Sequence, residues 1–549
     1  MRCRLWIVLI PALAAALGAC RAERKPSEIR EKLSAPTGLY VLGSGATPVL
    51  LVSNANFRLE YQSGSLLALD LSRVDESKRL NVVEDVARSA VELPNFSGPI
   101  ALAPDGKTAL VTNRFSEGEA RSSDDRLFFV DVSNLDALAL AQVHPGSSDT
   151  SGAITVGDDP YGVITLRLPP SGPGRPARDL AFVANETDAT ISVVNLTDGS
   201  VCTDGRSAPC IQDATQPPRA TRPVFADAGT NSNIVFDGPG VSEFITRDQH
   251  WDVTFIEGNG NCPTPTDPAV HPGYWRVVGS EAGQLTSHAC TDFFFVANEI
   301  TFRIARVLDS AGNAVGGSAT AGDTFSFDTF GGDFESGSGI RLSRFVVGGS
   351  ISGIGVGQLL YDPFRGRLYA TSRRTNFVYV IDVDTYRFLG AWQISSNIGG
   401  VDSRGLVLSP DGSELYVVNR SPDALLVINP ESFPRDVDTK LVIGGVVASI
   451  PLSAGSGELA LSDDGRYAFV ASFNANAVDI IDVLSRTRVR SIPTSLAPYT
   501  IRINSDATRA YVATYFGPAI DILDIDPLSA TFGTVITTVA DADYVPPHL

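Results

Sequence analysis

The sequence lacks the short motifs that mark the commonest catalytic and metal sites. Its 549 residues include 6 cysteines and 5 histidines. No C-x-x-C or C-x-x-C-H segment is present, which argues against the usual zinc spacing and against covalent haem attachment. No G-x-S-x-G, H-E-x-x-H or phosphate-binding P-loop segment occurs either. The motifs of the chain therefore give no support to these chemistries.

Basic residues are scarce relative to acidic ones. The chain has 43 lysines and arginines against 62 aspartates and glutamates, so its formal net charge is −19. Such a surface repels nucleic-acid phosphates and anionic lipid headgroups, and it favours solubility. We therefore predict no nucleic-acid partner.

One apolar run stands at the beginning of the chain. Residues 1–19 combine arginines, an apolar stretch and small residues, as an export signal does. The segment Leu17-Gly18-Ala19-Cys20 resembles the lipobox of bacterial lipoproteins. The resemblance implies cleavage before Cys20, lipidation of Cys20 with acyl chains such as palmitate, and attachment to the membrane through that anchor. Arg21 follows in place of aspartate, which favours the outer membrane of the cell envelope. A plain secretory signal is the alternative.

Four cysteines remain beyond the signal. They form an even set in a chain predicted to be exported, where disulfides persist. Pairing by proximity gives Cys202–Cys210 and Cys262–Cys290, one of three possible connectivities. A zinc site is the competing interpretation, although the ligand spacing does not favour it. No metal is predicted at these cysteines.

One short phrase recurs along the chain. The segment LSPDGSELYVVNR at 408–420 is similar to APDGKTALVTNR at 103–114 and to LSDDGRYAFVAS at 461–472. Pro410, Asp411 and Gly412 suit successive positions of a type I turn, with β-rich runs on both sides. Each copy therefore predicts two strands joined by a turn, followed by a third strand.

The copies align on the polar residue that ends the second strand. Their C-terminal spacing fits the roughly 40–50 residues of a four-stranded propeller blade. We predict an all-β fold: a single β-propeller over 36–549, preceded by a charged tether over 20–35. A disulfide-containing insertion is expected over 200–290 and a loop-rich excursion over 309–339. The aligned residues are Asn54, Asn113, Asn185, Asn298, Ser372, Asn419, Ser472 and Thr514.

These segments resemble the YVTN repeats of the YncE-like and lactonase-like bacterial β-propellers. The resemblance is most specific over 359–525, where LALSDDGRYAFVASFNANAVDIIDV stands. That family usually has seven blades, whereas eight repeat cores are present here. Either the ring has eight blades or one degenerate copy is not a blade.

In a propeller, the residues before the inner strands and after the second strands converge at one face, the top face. Here they mix charges with aromatic rings, as ligand-binding or protein-binding surfaces do. We predict a binding scaffold whose partner is an envelope protein, a polymer or a small ligand. The predicted binding residues are Arg114, Tyr161, Glu186, Trp251, Arg373, Arg404, Arg420, Glu458, Tyr499 and Tyr515.

Two residues suggest an alternative, enzymatic function. The resemblance to lactonase-like propellers implies that His250 and Glu299 line a hydrolytic site, with the imidazole as base on water. Gln249 stands where that family favours arginine.

A redox partner resembling the haem-d1 or amine-dehydrogenase propellers is a third hypothesis. No cofactor is predicted. Four acidic residues in the loop-rich segment 309–339 could hold calcium, although their spacing is not that of an EF-hand. They are Asp323, Asp328, Asp333 and Glu335.

Overall fold

The computed structural model describes most of the ring and only the strands of the region near its middle. The described residues are 32–43, 48–114, 126–144, 151–157, 159–170, 177–186, 190–199, 356–373, 377–383, 388–394, 402–433 and 440–547, with the strands between 233 and 341. None of the helices among these residues is long and apolar enough to span a membrane.

The first three blades are antiparallel sheets built in chain order. Blade 1 contains β1 (Pro36–Leu42), β2 (Val49–Asn54), β3 (Gly64–Asp70) and β5 (Ala87–Leu93), and between the last two lie β4 (Leu80–Val82) and the short helix α1 (Val83–Val86). Blade 2 contains β6 (Ser97–Leu102), β7 (Thr108–Asn113), β8 (Arg126–Asp131), β9 (Ala139–Leu140) and β10 (Ala153–Thr155). Blade 3 begins with β11 (Pro160–Leu168), β12 (Arg178–Asn185) and β13 (Thr190–Asn195).

An insertion of two further sheets interrupts blade 3. One sheet contains β14 (Asn233–Asp237), β18 (Phe293–Val296), β19 (Ile300–Leu308) and β20 (Ala314–Val315). The other contains β15 (Gln249–Glu257), β16 (Gly273–Gly279), β17 (Ser287–Cys290) and β21 (Thr324–Thr329). The chain then returns with β22 (Ile340–Arg341), which pairs with β13 as the fourth strand of blade 3.

Blades 4 to 7 hold the clearest copies of the repeat. Blade 4 is β23 (Val356–Asp362), β24 (Arg367–Ser372), β25 (Phe377–Asp382) and β26 (Phe388–Gln393). Blade 5 is β27 (Ser403–Leu408), β28 (Leu415–Arg420), β29 (Asp423–Ile428) and β31 (Val446–Pro451), with β30 (Lys440–Ile443) looped out. Blade 6 is β32 (Ser456–Leu461), β33 (Tyr467–Ser472), β34 (Ala477–Asp482) and β35 (Thr487–Pro493). Blade 7 is β36 (Pro498–Ile503), β37 (Arg509–Thr514), β38 (Ala519–Asp524) and β39 (Thr534–Ala540).

The seven blades close into a ring around their first strands. Each inner strand contacts that of the next blade, and β36 of blade 7 contacts β1 of blade 1. Within the described residues, an apolar cluster lies between each neighbouring pair of blades. The largest fully buried side chain, Trp392, packs between blades 4 and 5. The β-propeller prediction is confirmed, because these sheets bury their apolar faces on one another.

The structure also decides the blade count at seven. The repeat copy FVAN at 295–298 overlaps β18, which belongs to an inserted sheet and not to a blade. Its local sequence favours a strand as strongly as the sequences of the other repeat copies do. Its partner strand, β19, lies in the same insertion.

The turn chemistry of the repeat is observed in several copies. In blade 5 the Gly412 N–H donates to the Ser409 carbonyl at 2.9 Å, closing the predicted four-residue turn, and Gly412 has a φ of +71°. At the same end of the ring, the third strands end on Asp or Asn side chains that accept backbone N–H groups two or three residues ahead. Local hydrogen bonds of this kind fix where each strand ends.

Two of the loops add a parallel fifth strand to the preceding blade. In blade 1 the excursion after β3 places β4 beside β39 of blade 7, with Val539 opposite Asn81. In blade 5 the excursion after β29 places β30 beside β26 of blade 4. The first of these contacts ties the N-terminal blade to the C-terminal blade, where the ring closes.

A candidate binding site at the top of the ring

An irregularity near the start of every inner strand shapes the top face. In each blade the first residue of the inner strand pairs with the aligned polar residue of the second strand, as Ser403 does with Asn419. The register then shifts within the next three residues in all seven blades. A bulge of this kind redirects side chains. The bulge residues include Tyr161, Gln358, Arg404, Glu458 and Tyr499.

Four of the blades also carry a glycine in the bulge beside such a residue. A Cβ built on Gly162 would lie 2.5 Å from the carbonyl oxygen of Gly357 in the next blade. One built on Gly405 would lie 2.8 Å from a methyl group of Leu459. A side chain at either glycine would therefore force neighbouring inner strands apart. The glycines let the strands approach closely enough for the adjacent polar side chains to meet.

The bulge residues enclose a cavity at the centre of the top face, here called the mouth cavity. Its empty volume is about 350 Å³, including space open to solvent. The cavity is lined by Tyr161, Gly357, Gln358, Arg373, Ser403, Arg404, Arg420, Gly457, Glu458, Phe473, Pro498 and Tyr499.

Three arginines from blades 4 and 5 line one side of the mouth cavity, and each makes few hydrogen bonds. Arg404 donates from Nη2 to Asp402 Oδ2 at 2.6 Å. Among the described residues, Arg420 donates only to backbone carbonyl oxygens, those of Gly455 and Ser456, at 3.0 Å each. Arg373 donates from Nη1 to Glu186 Oε2. A guanidinium group has five N–H donors, so most of this capacity is unused by the described residues.

Buried polar atoms without partners gather at the same place. Among the described residues, Nε of Arg373, Nε of Arg404 and Oδ1 of Asp402 are buried and have no hydrogen-bond partner. A buried donor or acceptor in this state costs roughly 1–3 kcal/mol. The hydrogen bonding of the mouth cavity is therefore incomplete within the described part of the chain.

The charge balance also favours a positive potential inside the cavity. Burial first, and then the positive charge of Arg404, lower the pKa of Arg420, while Asp402 opposes them. For Arg404, burial would lower the pKa, but the adjacent Asp402 raises it above its usual value. Of the charged residues lining the cavity, three are arginines and one is Glu458. Glu458 is itself held by Gln358 and lies 3.4 Å from Arg502.

A network of ion pairs lies beside the cavity and fixes its far wall. Arg114 binds both oxygens of Asp159 at 2.7 Å and donates to Glu186 at 2.7 Å. Glu186 also pairs with Arg373. Burial would lower the pKa of Arg114, but the hydrogen bond and charge of Asp159, with the charge of Glu186, raise it well above its usual range. Among the described residues, Arg114 therefore makes three hydrogen bonds to two carboxylates, more than any of the arginines that line the cavity.

Aromatic rings form the other side of the cavity and continue to the surface. Tyr499 stacks on Tyr515 with ring centroids 5.4 Å apart, and Phe473 meets Tyr515 at 6.1 Å. Phe516 and Phe57 extend the run outward, and they are 43% and 50% exposed. Contiguous exposed rings beside a polar cavity are typical of a ligand surface.

Tyr161 connects the two halves of the site. Its hydroxyl lies 3.1 Å from that of Tyr499, and the guanidinium groups of Arg114 and Arg373 lie 5.0 and 5.6 Å from its ring centroid. Burial, followed by the neighbouring Tyr499, raises the pKa of Tyr161 well above its usual value. The phenol therefore stays protonated at physiological pH and acts as a hydrogen-bonding wall, not as a base.

The structure brings most of the predicted top-face residues together. Tyr161, Arg373, Arg404, Arg420, Glu458 and Tyr499 line the mouth cavity, and Arg114, Glu186 and Tyr515 contact those residues. Their part in binding stays a prediction. The sequence reasoning missed Gln358, Asp159 and Asp402. Each stands at or just before the start of an inner strand, so extending the same alignment to every blade could have found them.

Other predicted site residues fall outside the described residues or side chains. His250 and Trp251 lie in β15, whereas the FVAN segment that precedes Glu299 overlaps β18 of a different sheet. The side chains of all three are not described, nor are those of the four cysteines and the candidate calcium acids. These assignments remain predictions. Within the described residues, no group of three or more His, Cys, Asp or Glu side chains could hold a metal ion.

Comparisons with known proteins give no family for the chain. No family model matches it, and no curated protein matches it. Among solved structures, hydrazine synthase of Kuenenia stuttgartiensis is 14% identical with a TM-score of 0.45, and the match covers 93% of this chain and 99% of that chain. The β-propeller domain of Cps50 (Swd1) from Myceliophteria thermophila is 10% identical with a TM-score of 0.44, over 90% and 97% of the two chains.

Apo AztD from Citrobacter koseri is a further match, at 11% identity and a TM-score of 0.40, over 88% of this chain and 93% of that chain. Likenesses at these scores and identities say nothing about the chemistry of the mouth cavity. The resemblance to YVTN-repeat propellers therefore stays a prediction, while the seven-bladed fold follows from the sheets themselves.

Proposed function

We propose that this chain is a ligand-binding β-propeller that works without catalysis and captures its ligand in the mouth cavity at the top of the ring. The observation that carries the proposal is the convergence of residues from blades 3 to 7 on one cavity, with under-used guanidinium donors on one side and aromatic rings on the other. Sites of this composition position ligands through a few polar groups against apolar walls.

The proposal includes the cell envelope as the place of action. The export signal over 1–19 and the lipobox ending at Cys20 support a lipid-anchored protein. We expect Cys20→Ser to move the chain from the membrane fraction to the soluble fraction of fractionated cells. An unchanged distribution would contradict the lipid anchor and would leave the binding proposal intact.

Gly457 offers a way to close the cavity without removing a charge. A Cβ built on Gly457 meets nothing nearer than Arg420 Nη2 at 3.6 Å and the Ala471 carbonyl oxygen at 3.7 Å. The Cβ atom of a leucine at this position therefore meets no close contact, and the rest of the leucine side chain would occupy part of the cavity. We expect Gly457→Leu to fold as the original chain does and to lose ligand binding.

The experiment compares the original chain with Gly457→Leu in thermal unfolding, with a panel of organic anions, organic cations, neutral sugars and lactones. The proposal predicts that at least one class raises the unfolding temperature of the original chain and not that of the variant. Equal shifts in both chains, or no shift with any class, would contradict it. Turnover of a lactone that His250→Ala abolishes in a folded variant would favour the hydrolase alternative instead.

A further inference from the structure

We propose that the ligand of the mouth cavity is a monocarboxylate with a ring-shaped apolar body. In this arrangement the carboxylate lies among the guanidinium groups of Arg373, Arg404 and Arg420, and the ring lies against Phe473 and Tyr499. This inference rests on the proposed function, because it names the class of ligand that the same cavity takes.

The unused hydrogen-bond donors identify the charge of the ligand. Within the described part of the chain, Arg404 donates to one side-chain acceptor, and Arg420 donates only to two backbone carbonyl oxygens. A planar guanidinium group pairs with a carboxylate through two parallel hydrogen bonds. An added carboxylate would therefore supply the acceptors that the described residues do not provide. A cationic ligand would instead meet three like charges.

The surrounding charges favour a monoanion over a dianion. Glu458 also lines the cavity, so a second negative charge on the ligand would meet a carboxylate nearby. The chain as a whole carries a formal net charge of −19, which repels multiply charged anions at long range. Inorganic phosphate is therefore expected to bind more weakly than a carboxylate with a ring.

The aromatic wall identifies the body of the ligand. Phe473 and Tyr499 line the cavity beside the arginines, and their ring centroids lie 6.4 Å apart in an edge-to-face arrangement. Tyr515 covers one face of Tyr499, so the cavity presents a rigid aromatic corner. A flat apolar ring would stack on this corner at the open side of the cavity, with the exposed Phe516 leading outward to solvent.

The test is calorimetric titration of the full-length chain with four probes at one fixed ionic strength, because screening changes charge-dependent affinity. Benzoate carries both the anion and the ring, acetate only the anion, benzylamine the ring with a positive charge, and inorganic phosphate the anion without a ring. We expect benzoate to bind most tightly, acetate and phosphate at least roughly tenfold more weakly, and benzylamine not at all.

Two variants and a control locate the binding. Arg420→Gln should weaken benzoate binding roughly tenfold or more, because a charge-assisted hydrogen bond is removed. Arg404→Lys keeps the charge beside Asp402 but loses the planar guanidinium group, so we expect a smaller loss of benzoate affinity than in Arg420→Gln. This variant replaces Arg420→Gln in the test if Arg420→Gln does not fold. Arg466→Gln, an exposed arginine paired with Asp482 in the turn before β33, should bind as the original chain does.

Several results would overturn the inference. These are undetectable benzoate binding, tighter binding of phosphate or benzylamine than of benzoate, or equal benzoate affinity in Arg404→Lys, Arg420→Gln and the original chain. If benzoate fails while another class in the panel stabilises the original chain and not Gly457→Leu, the monocarboxylate is wrong and the binding function stands. If no class does so, both fail.

Discussion

At the scale of the residue, the arginines of the top face divide into two kinds. Arg114 is enclosed by Asp159 and Glu186, with three hydrogen bonds of 2.7 Å, and such a pair fixes structure. Arg404 and Arg420 have fewer partners, although both are largely buried. Buried groups with unmet hydrogen bonds weaken a fold, so their presence in one cavity is better explained by a ligand than by stability.

Asp411 in the repeated turn gives a prediction about pH. Hydrogen bonds from the Ser409 hydroxyl, and from the Ser413 amide and hydroxyl, lower the pKa of Asp411 from 3.8 to about 2. Because its pKa is lower in the folded chain, the carboxylate stabilises the fold above about pH 4, and that contribution is lost as the pH falls through about 2. We expect Asp411→Asn to lower the denaturant midpoint at pH 7, with a difference that shrinks toward pH 2.

The matched control is Asp463→Asn, in the equivalent turn of blade 6. In that turn the Ser462 hydroxyl and the Arg466 N–H donate to Asp464 and not to Asp463, so this change should leave the midpoint nearly unaltered at pH 7. A difference for Asp411→Asn that stays constant from pH 7 to pH 2 would show that the charge of Asp411 is not what stabilises the turn.

The predictability of the site follows from where its residues stand in the repeat. Arg373 follows the end of a second strand and Arg420 is the last residue of one. Arg404 and Tyr499 stand at the starts of inner strands, so the alignment alone places all four at the top. The pairings could not be predicted. Whether Glu186 meets Arg114 or Arg373 depends on how neighbouring blades are rotated, which the repeat does not encode.

At the scale of the element, the bulges in the inner strands turn a structural repeat into a binding surface. An unbroken strand would alternate its side chains between the two faces of the blade, and each would pack against a neighbouring blade. The register shift after Ser403, and the equivalent shifts in blades 3, 4, 6 and 7, instead place a bulge side chain at the mouth cavity. The remaining residues of the inner strands keep their part in the packing between blades.

The turn of blade 7 provides a stability prediction from the repeat itself. Gly106, Gly412 and Gly465 have a φ of +71°, whereas Ala507 holds the same turn position with a φ of +51°. An alanine is strained in this left-handed region and a glycine is not. We expect Ala507→Gly to raise the free energy of unfolding by roughly 0.5–1 kcal/mol in chemical denaturation.

The opposite result is expected for Ala510→Gly, three residues along in β37. Ala510 is fully buried in a regular strand, where a glycine lowers stability by about 1 kcal/mol. Destabilisation by both substitutions would contradict the account of the turn, because it would mean that the alanine at 507 is not strained.

The sequence predicts a pair of strands where a recognisable turn joins them. The repeated turn motif correctly predicted the inner and second strands of blades 2, 5 and 6. The copy at 295–298 was misleading because the same local pattern suits any buried strand, and only its partners exclude it from a blade. Strands β4 and β30 gave no signal, since a parallel pair of three or four residues needs no adjacent turn.

At the scale of the whole molecule, the ring closes between blade 7 and blade 1 through the excursion that carries β4. Asn81 accepts the Asp75 N–H at 2.9 Å and donates to Thr537 in β39 at 2.8 Å. Glu76 pairs with both Nε and Nη2 of Arg509 in blade 7. Closure therefore adds polar contacts to the apolar cluster that blades 7 and 1 share.

We expect Asn81→Ala to lower the free energy of unfolding by roughly 1–3 kcal/mol, because it leaves the buried Thr537 hydroxyl without this hydrogen bond. Hydrogen exchange should quicken first in β39 and β1, at the ring closure. The control is Asn134→Ala, which removes an exposed asparagine that caps a loop with a 3.1 Å hydrogen bond to the Asp136 N–H. Equal losses in both variants, or faster exchange spread evenly over all blades, would contradict a closure role for the excursion.

The most direct test of the mouth cavity as an anion site is a crystal structure of the full chain grown with benzoate. We predict the carboxylate within hydrogen-bonding distance of the Arg404 and Arg420 guanidinium groups, with the ring against Phe473 and Tyr499. An empty mouth cavity at saturating benzoate, or benzoate bound only elsewhere on the ring, would contradict the assignment.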